Sequence, residues 1–555
     1  MKQNESLSYL MEHYPLVKVF EYDEQNYLVF DARPNMMFIL SKTDLAILVA
    51  YLETDDRQKV KKLFHKDNDM DPVLDMIDTL KQKGVLLKGP LDYVISDDEK
   101  EVRDRIEYNL QNIFMRKYIL ETTQQCNFRC LYCHNTIEPV FRHHTSKKME
   151  LPVAKKAVDF YFELYTNFFN RLPDDKKKIM LKHYHPSIGF YGGEPSLNWE
   201  LVVKAVEYYK SLPWEEHGIP IESLNFTVNT NLYHLTDDMI SFLIKHNPYL
   251  YISLDGPKSE NDKNRLTVDG KGTFDRVYAN IMRIKQASPD YFKDRVMLLC
   301  VEAEGNDIER VHDFIDKMGC LVDYLPVSPY GCIVKDPDKE IAAIEETEDE
   351  WIKNKLSAYN KKVSNGDKDA LSEFTSLYFM EHVMTNTPFK QRKLNLSLTC
   401  PMCIDNIMIG TEGEIHICHK TDGSLPLGNV VTGGYDMEKM YEANRSYAEL
   451  TNCQECRSCW AVNNCNYCAA MRLDGGRWKN PAKRECDVLR RNAESIFKLF
   501  IAVYKQDPQI ISDLFLYKND MNNYTSILDY NEFIHYEYPT KEESVHPTNG
   551  VKKDI

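Results

Sequence analysis

Cys126, Cys130 and Cys133 stand in the run Thr123-Gln-Gln-Cys-Asn-Phe-Arg-Cys-Leu-Tyr-Cys-His134. Three thiolates at C-x3-C-x2-C spacing can bind three irons of a four-iron cluster and leave the fourth iron open. Protein Fe–S clusters ordinarily take four cysteine ligands, so such a site keeps a coordination position for a small molecule. Zinc is the rival use of cysteines, but its sites usually pair C-x2-C units closed by a nearby fourth ligand. After Cys133 the next cysteine is Cys300. Three plain buried cysteines are the other alternative.

Three further runs carry polar chemistry. In Tyr191-Gly-Gly-Glu-Pro195, Gly192 and Gly193 let backbone approach a ligand closely, and Glu194 offers a carboxylate to an ammonium group. Val228-Asn-Thr-Asn-Leu232 holds amides and a hydroxyl that suit a ribose, with Asn229 as the candidate. Ser253-Leu-Asp-Gly-Pro257 is followed, twelve residues beyond Ser253, by Arg265. A guanidinium is a natural bidentate partner for a carboxylate. A simple turn at Asn229 and a surface ion pair at Arg265 are the bland alternatives.

A second group of cysteines lies farther on. Cys403 and Cys418 enclose Gly413 as C-x9-G-x4-C. Cys456, Cys459, Cys465 and Cys468 read C-x2-C-x5-C-x2-C, and Cys486 follows after seventeen more residues. Of fifteen cysteines, nine lie between 400 and 486, a clustering that favours metal binding over a disulfide framework. Structural zinc fits C-x2-C pairs and is the competing reading here.

Together these runs resemble the radical SAM family. C-x3-C-x2-C matches the loop that binds a four-iron cluster, on whose open iron S-adenosylmethionine (SAM) sits and is cleaved to a 5′-deoxyadenosyl radical. The resemblance implies that Glu194, with Gly192 and Gly193, meets the SAM amino group, that Ser253 and Arg265 hold its carboxylate, and that Tyr132 and Asn229 also contact it. Gly270-Lys-Gly-Thr-Phe-Asp275 further resembles the subfamily of sulfatase and peptide maturases. The later cysteines are similar to the SPASM extension, which carries two auxiliary four-iron clusters. It implies Cys400, Cys403, Cys418 and Cys468 for one cluster and Cys456, Cys459, Cys465 and Cys486 for the other. The family's last spacing in the central run is C-x3-C where this chain has C-x2-C, and Cys453, spare in this scheme, permits a shifted assignment. The implied cofactors are three [4Fe-4S] clusters, one of them SAM-binding, and SAM.

The elements around these residues are legible by periodicity. Residues 114–335 alternate strands and helices, a parallel α/β signature. Strands are expected at Lys117–Thr122, Ser187–Tyr191, Leu224–Asn229, Leu250–Leu254, Val296–Val301 and Val322–Val327, with helices at 153–169, 200–211 and 237–246. Six strands suggest a partial (βα)6 barrel, with ligand residues at the C-terminal strand ends. Residues 1–100 read as strands Leu16–Tyr22 and Tyr27–Asp31 around a Gln25-Asn26 turn, a helix opened by Ser41, helices at 57–65 and 71–83, and a closing strand at Val85-Leu-Leu. That winged-helix-like pattern resembles the recognition element found beside peptide-modifying enzymes. Residues 336–397 are expected as a helical bridge, 398–490 as the SPASM domain, and 491–555 as a helical segment with a polar tail.

The formal charge of −16 argues against a nucleic-acid surface. No apolar h-region or membrane-length run is present, so a cytoplasmic protein is expected. The leading expectation is a maturase that crosslinks a ribosomally made precursor peptide through a thioether or carbon–carbon bond. Its partners would be a leader peptide, added as a strand to an N-terminal sheet edge, and an electron donor such as a flavodoxin or ferredoxin. Deleting residues 1–100 should then spare SAM cleavage and abolish peptide modification. The alternative is a sulfatase maturase; those enzymes place an acidic residue after the cysteine equivalent to Cys418, where this chain has His419. Histidine titrates near neutrality, so His419 is retained as a candidate base.

Overall fold

The computed structural model describes residues 9–10, 12–64, 70–91, 98–112, 115, 117–133, 135, 143–303, 306–326, 337–366, 370–377, 406–462, 465 and 472–514. The chain begins with an antiparallel meander of β1 (Val17–Glu21), β2 (Asn26–Asp31) and β3 (Met36–Ser41). Three helices follow, α1 (Lys42–Thr54), α2 (Arg57–Leu63) and α3 (Asp71–Gln82). Ser41 opens α1 as an N-cap, its Oγ accepting the Asp44 N–H at 3.1 Å. The period-2 alternation of β2 sends Tyr27 and Val29 into a core with α1 and α3, whereas Leu28 and Phe30 join the main core of the molecule.

Three expectations for this unit are corrected. The turn between β1 and β2 is not Gln25-Asn26: the Asp23 carboxylate accepts the Gln25 and Asn26 N–H groups, so the turn ends at Gln25 and Asn26 enters β2. β3 was not expected, because Met36-Met-Phe-Ile-Leu40 is apolar without alternation. The closing strand at Val85-Leu-Leu does not form. Leu86 adopts φ 57°, and its N–H donates to the buried Asp31 Oδ2 at 2.6 Å, taking it out of any ladder.

After α4 (Glu99–Asn112) come β4 (Lys117–Thr123), α5 (Leu151–Arg171), α6 (Asp174–His183), β5 (Ser187–Gly192), α7 (Trp199–Ser211) and β6 (Asn225–Thr230). Then follow α8 (Asp237–His246), β7 (Tyr249–Ser253), α9 (Lys258–Asn264), α10 (Phe274–Ala287), α11 (Pro289–Arg295), β8 (Val296–Glu302), α12 (Ile308–Asp316) and β9 (Leu321–Pro326). β4 to β9 are neighbours in sequence order and all parallel. Each lies within one residue of its expected bounds.

Alternation divides the two faces of this sheet. Tyr118, Leu120, Ile188, Phe190, Phe226 and Val228 are buried on one side, where the Tyr118 hydroxyl donates to the Ala157 carbonyl of α5 at 2.7 Å. Cross-strand register puts Glu121, Tyr191, Asn229, Tyr251 and Ser253 on the other. The sheet is wider than expected. β10 (Asn406–Ile409) adds in parallel to β4, and β11 (Ile415–His416) pairs antiparallel with β10. A strand from the second cysteine region is thus part of the central sheet.

α13 (Pro337–Ser364), α14 (Met437–Thr451) and α15 (Lys483–Gln506) complete the described helices longer than two turns. α13 and α15 meet around buried Glu348, which accepts from Arg491 Nη2 at 3.0 Å and from Ser495 Oγ and Lys498 Nζ, each at 2.5 Å. Cys486, Arg490, Glu494 and Phe497 recur at helical spacing, so they form one stripe along α15. Its far end receives the N-terminal sheet. Phe20 stacks on Phe497 with ring centroids 4.7 Å apart, Trp460 meets both rings, and Lys18 pairs with Glu494. The Leu91 N–H donates to the Arg457 carbonyl at 2.9 Å. Among the described residues, no helix is long and apolar enough to cross a membrane.

This docking changes what a truncation would report. Removing residues 1–100 would uncover Trp460 and Phe497 beside the cysteine loop at 453–459, so the deletion does not separate recognition from chemistry. Phe497 is fully buried. Phe497→Ala should cost about 3–5 kcal/mol of local stability and speed hydrogen exchange in both β1–β2 and residues 453–462. Exchange confined to α15 would show that the two units are not joined there.

Candidate functional site

The cysteine loop begins where β4 ends and is held by its neighbours' backbones. Arg129 and Leu131 donate to the Leu266 and Asn264 carbonyls at 2.7 and 3.0 Å, and Phe128 bridges to Thr267. From the other side, the Gly193 and Glu194 N–H groups donate to Thr123 and Gln125 carbonyls at 2.7 and 2.8 Å. The glycines serve this approach. A Cβ on Gly192 would lie 2.2 Å from the Thr123 oxygen, and one on Gly193 would lie 2.1 Å from the Gln125 oxygen. Sequence reasoning assigned them to a ligand; the backbone they admit is that of the cysteine loop.

Cys130 is buried and Cys126 and Cys133 are half-buried. Burial, with the nearby Glu194 carboxylate, pushes the Cys126 thiol up to about 12, and Cys130 and Cys133 add to the shift. Among the described residues, no three His, Cys, Asp or Glu side chains close on a point for a single metal ion. The fit to a cluster therefore rests on donor chemistry: three thiols that influence one another, on a loop clamped from two sides.

Glu194 is buried and fully engaged. Its Oε1 accepts from the Ser196 N–H at 3.0 Å and the Thr230 hydroxyl at 2.6 Å, and its Oε2 accepts from the Asn231 N–H at 2.7 Å. Burial raises the carboxyl above its ordinary value, with these donors opposing. Asn231 also donates through Nδ2 to Asn127 Oδ1 at 2.8 Å, with the Cys126 sulfur 3.9 Å away. Thr230 and Asn231 are the residues sequence reasoning missed in this run. Asn229 sits one position earlier, on the open sheet face. Only the end of β6 at Thr230 reveals the difference.

Arg265 lies at the end of α9 and is buried. Its Nη1 donates to the Tyr132 hydroxyl at 2.7 Å, and Tyr132 donates in turn to Asp255. Burial opposes the guanidinium charge, but Tyr132, Cys130 and Asp255 outweigh it and keep Arg265 firmly cationic. Ser253 ends β7 on the open face, half-buried. Asp255 also escaped the sequence reading, although it stands inside the quoted Ser253–Pro257 run.

In the second cysteine region, Cys400, Cys403 and Cys468 lie outside the described residues. Cys418 follows β11, with its sulfur 3.7 Å from Asn406 Nδ2 and 3.4 Å from the Lys420 N–H. His419 stands over Tyr191, ring centroids 5.2 Å apart, at the end of β5. Cys456, Cys459 and Cys486 each feel the charge of Cys465, and among the described residues no three of these side chains close on a point for a single metal ion. Burial raises the Cys486 thiol to about 11, Arg490 and Arg472 pull it down, and Cys465 and Cys459 push it up. Burial raises Cys456 as well, followed by adjacent Cys453. Arg490 Nη1 approaches the Cys459 sulfur at 3.9 Å, and Arg472, 1% exposed, acts on Cys456 and Cys486.

Residues 120–315 match the family model described as the radical SAM superfamily. The chain is 22% identical to the radical SAM cyclopropyl synthase TigE of Paramaledivibacter caminithermalis over 70% of this chain and 75% of that one. It is 22% identical to a cysteine-type anaerobic sulfatase-maturating enzyme of Clostridium novyi over 36% of this chain, spanning 47% of that protein. Among solved structures, Streptococcus suis SuiB bound to precursor peptide SuiA covers 84% of this chain and 98% of its own, at 12% identity and TM-score 0.44.

Gly193→Ala should dislodge the Gln125 carbonyl and open the cysteine loop. After anaerobic reconstitution it should lose about four irons per chain, as a triple alanine variant at Cys126, Cys130 and Cys133 should. Wild-type iron content in Gly193→Ala would show that the loop does not depend on this contact.

Proposed function

Given that this chain is a radical SAM enzyme, with that superfamily's domain at residues 120–315, we propose that it matures a ribosomally made precursor peptide by forming a crosslink. Cys126, Cys130 and Cys133 would hold one four-iron cluster and leave an iron for SAM. Glu194 would meet the SAM ammonium, Ser253 and Arg265 its carboxylate, and Asn229 and Tyr132 the rest. Cys456, Cys459, Cys465 and Cys486 would hold a second cluster, and Cys400, Cys403, Cys418 and Cys468 a third. When bound, reduced cluster and SAM supply a 5′-deoxyadenosyl radical that takes a hydrogen atom from a C–H bond.

The observation that carries the peptide reading is the edge of the N-terminal sheet. Among the described residues no strand pairs with the outer side of β3, and its Ile39 is 44% exposed. An uncovered apolar edge strand is a template for another strand, and strand addition is a common mode of peptide capture. A crosslink removes two hydrogens from the peptide: one as the abstracted atom, the other as a proton and an electron. His419, whose ring meets Tyr191, would take the proton, and the later cysteines' cluster would take the electron. A flavodoxin or ferredoxin would reduce the first cluster.

The competing reading, oxidation of a sulfatase cysteine or serine, draws on the similarity to the sulfatase-maturating enzyme. His419 stands where that group has an acidic residue. Reconstituted enzyme with SAM, a reductant and short peptides encoded beside its gene should give a product lighter by two hydrogens, joined between two residues, with matching 5′-deoxyadenosine. A formylglycine product on a sulfatase peptide would establish the competing reading instead. Ile39→Lys should weaken binding of the modified peptide by about tenfold or more, the worth of one large apolar side chain. Unchanged binding would remove β3 as the capture edge.

A further inference from the structure

Asp255 is fully buried beside Arg265. Its Oδ1 accepts the Val301 N–H of β8 at 3.1 Å and stands 3.8 Å from Arg265 Nη1. Its Oδ2 accepts the Tyr132 hydroxyl, the same hydroxyl that accepts from Arg265 Nη1. The backbone is tied as well. The Asp255 N–H donates to Asn261 Oδ1 at 3.3 Å, and the Asn261 carbonyl accepts the Arg265 N–H at 2.9 Å. Gly256 follows at φ 106°, where a Cβ would meet Val311 at 2.8 Å, so the turn that aims Asp255 admits no side chain.

An unpaired buried carboxylate is costly, so its retention asks for a partner. Here the partner is a guanidinium on a long, rotamer-rich stem. Arg presents five donors in a planar fork, and these contacts occupy Nη1. A carboxylate ligand would meet the donors on the remaining edge, Nη2 and Nε. Fixing the fork beforehand lowers the ordering cost at the moment of binding. Phe128, on the cysteine loop, lies 5.9 Å from the guanidinium carbon and bounds it on another side.

We infer that Asp255 is a positioning residue: through Tyr132 and Arg265 it sets the fork that reads the carboxylate of the amino-acid end of SAM. This rests on the assignment of Arg265 to that carboxylate. Asp255 itself touches neither SAM nor a cluster iron. Asp255→Asn has one carbonyl oxygen, which can stay on the Val301 N–H, and puts an amide NH2 where Oδ2 accepts from Tyr132, so it removes both the charge and the relay that hold the fork. The effect should therefore fall on carboxylate recognition and not on the rest of the site.

The test compares SAM with decarboxylated SAM on reconstituted full-length enzyme, by equilibrium dialysis, with iron content measured in parallel. Wild type should prefer SAM. Asp255→Asn should bind SAM about tenfold more weakly, as expected for loss of a charge-assisted contact, bind decarboxylated SAM as wild type does, and keep its iron. Tyr132→Phe, which cuts the relay without removing the ring, should shift the preference the same way. A preference kept in Asp255→Asn would overturn the inference. So would equal weakening of both ligands with loss of iron, which marks a structural role. A wild type that does not discriminate the two ligands would instead refute the Arg265 assignment.

Discussion

The rest of the site depends on how the backbone of the cysteine loop is held. One side is fixed by the end of β5, where two glycines let main chain meet main chain with no side chain between. The other side is fixed by residues 264–267, which ladder onto residues 128–131. Because Glu194 follows the first clamp and Arg265 lies within the second, each polar group is registered to the loop by backbone geometry. Flexible side-chain reach is not required. A parallel sheet suits this arrangement because its strands deliver successive loops to one end.

α15 does for the second cysteine region what β5 does for the first. One stripe of this helix starts at Cys486, passes Arg490 beside the Cys459 sulfur, and ends at Glu494 and Phe497 against the N-terminal sheet. Its neighbouring face is pinned to α13 through buried Glu348. Arg472 and Arg490 place positive charge near Cys486, which ionised thiols require. Hydrogen bonds to sulfur and local charge are the levers by which a protein tunes an Fe–S cluster. The N-terminal sheet therefore rests on the same helix that carries Cys486.

Most of the barrel was legible in the sequence because its strands alternate with helices and each chemical run falls at a strand end. The N-terminal unit was less so. β2 reads as a strand, but β3 is apolar without a period, and an aperiodic run does not announce a strand. Val85-Leu-Leu reads as a strand by composition, yet a carboxylate fifty-five residues away captures the Leu86 N–H. Asn229 and Asn231 are equivalent as text; only the backbone N–H of Asn231 reaching Glu194 separates them. β10 could not be foreseen, since four residues that extend the sheet from beyond the barrel carry no local signal.

The charges at the two clamps have opposite sign. Glu194 is held by three donors, so part of the cost of burying its carboxylate is met before a ligand arrives. Arg265 is held by Tyr132 and Asp255, so its fork is aimed before a ligand arrives. A buried anion and a buried cation framing one loop complement a zwitterion. The amino-acid end of SAM carries both charges on adjacent groups. Moving either clamp would separate the two charges along with the backbone.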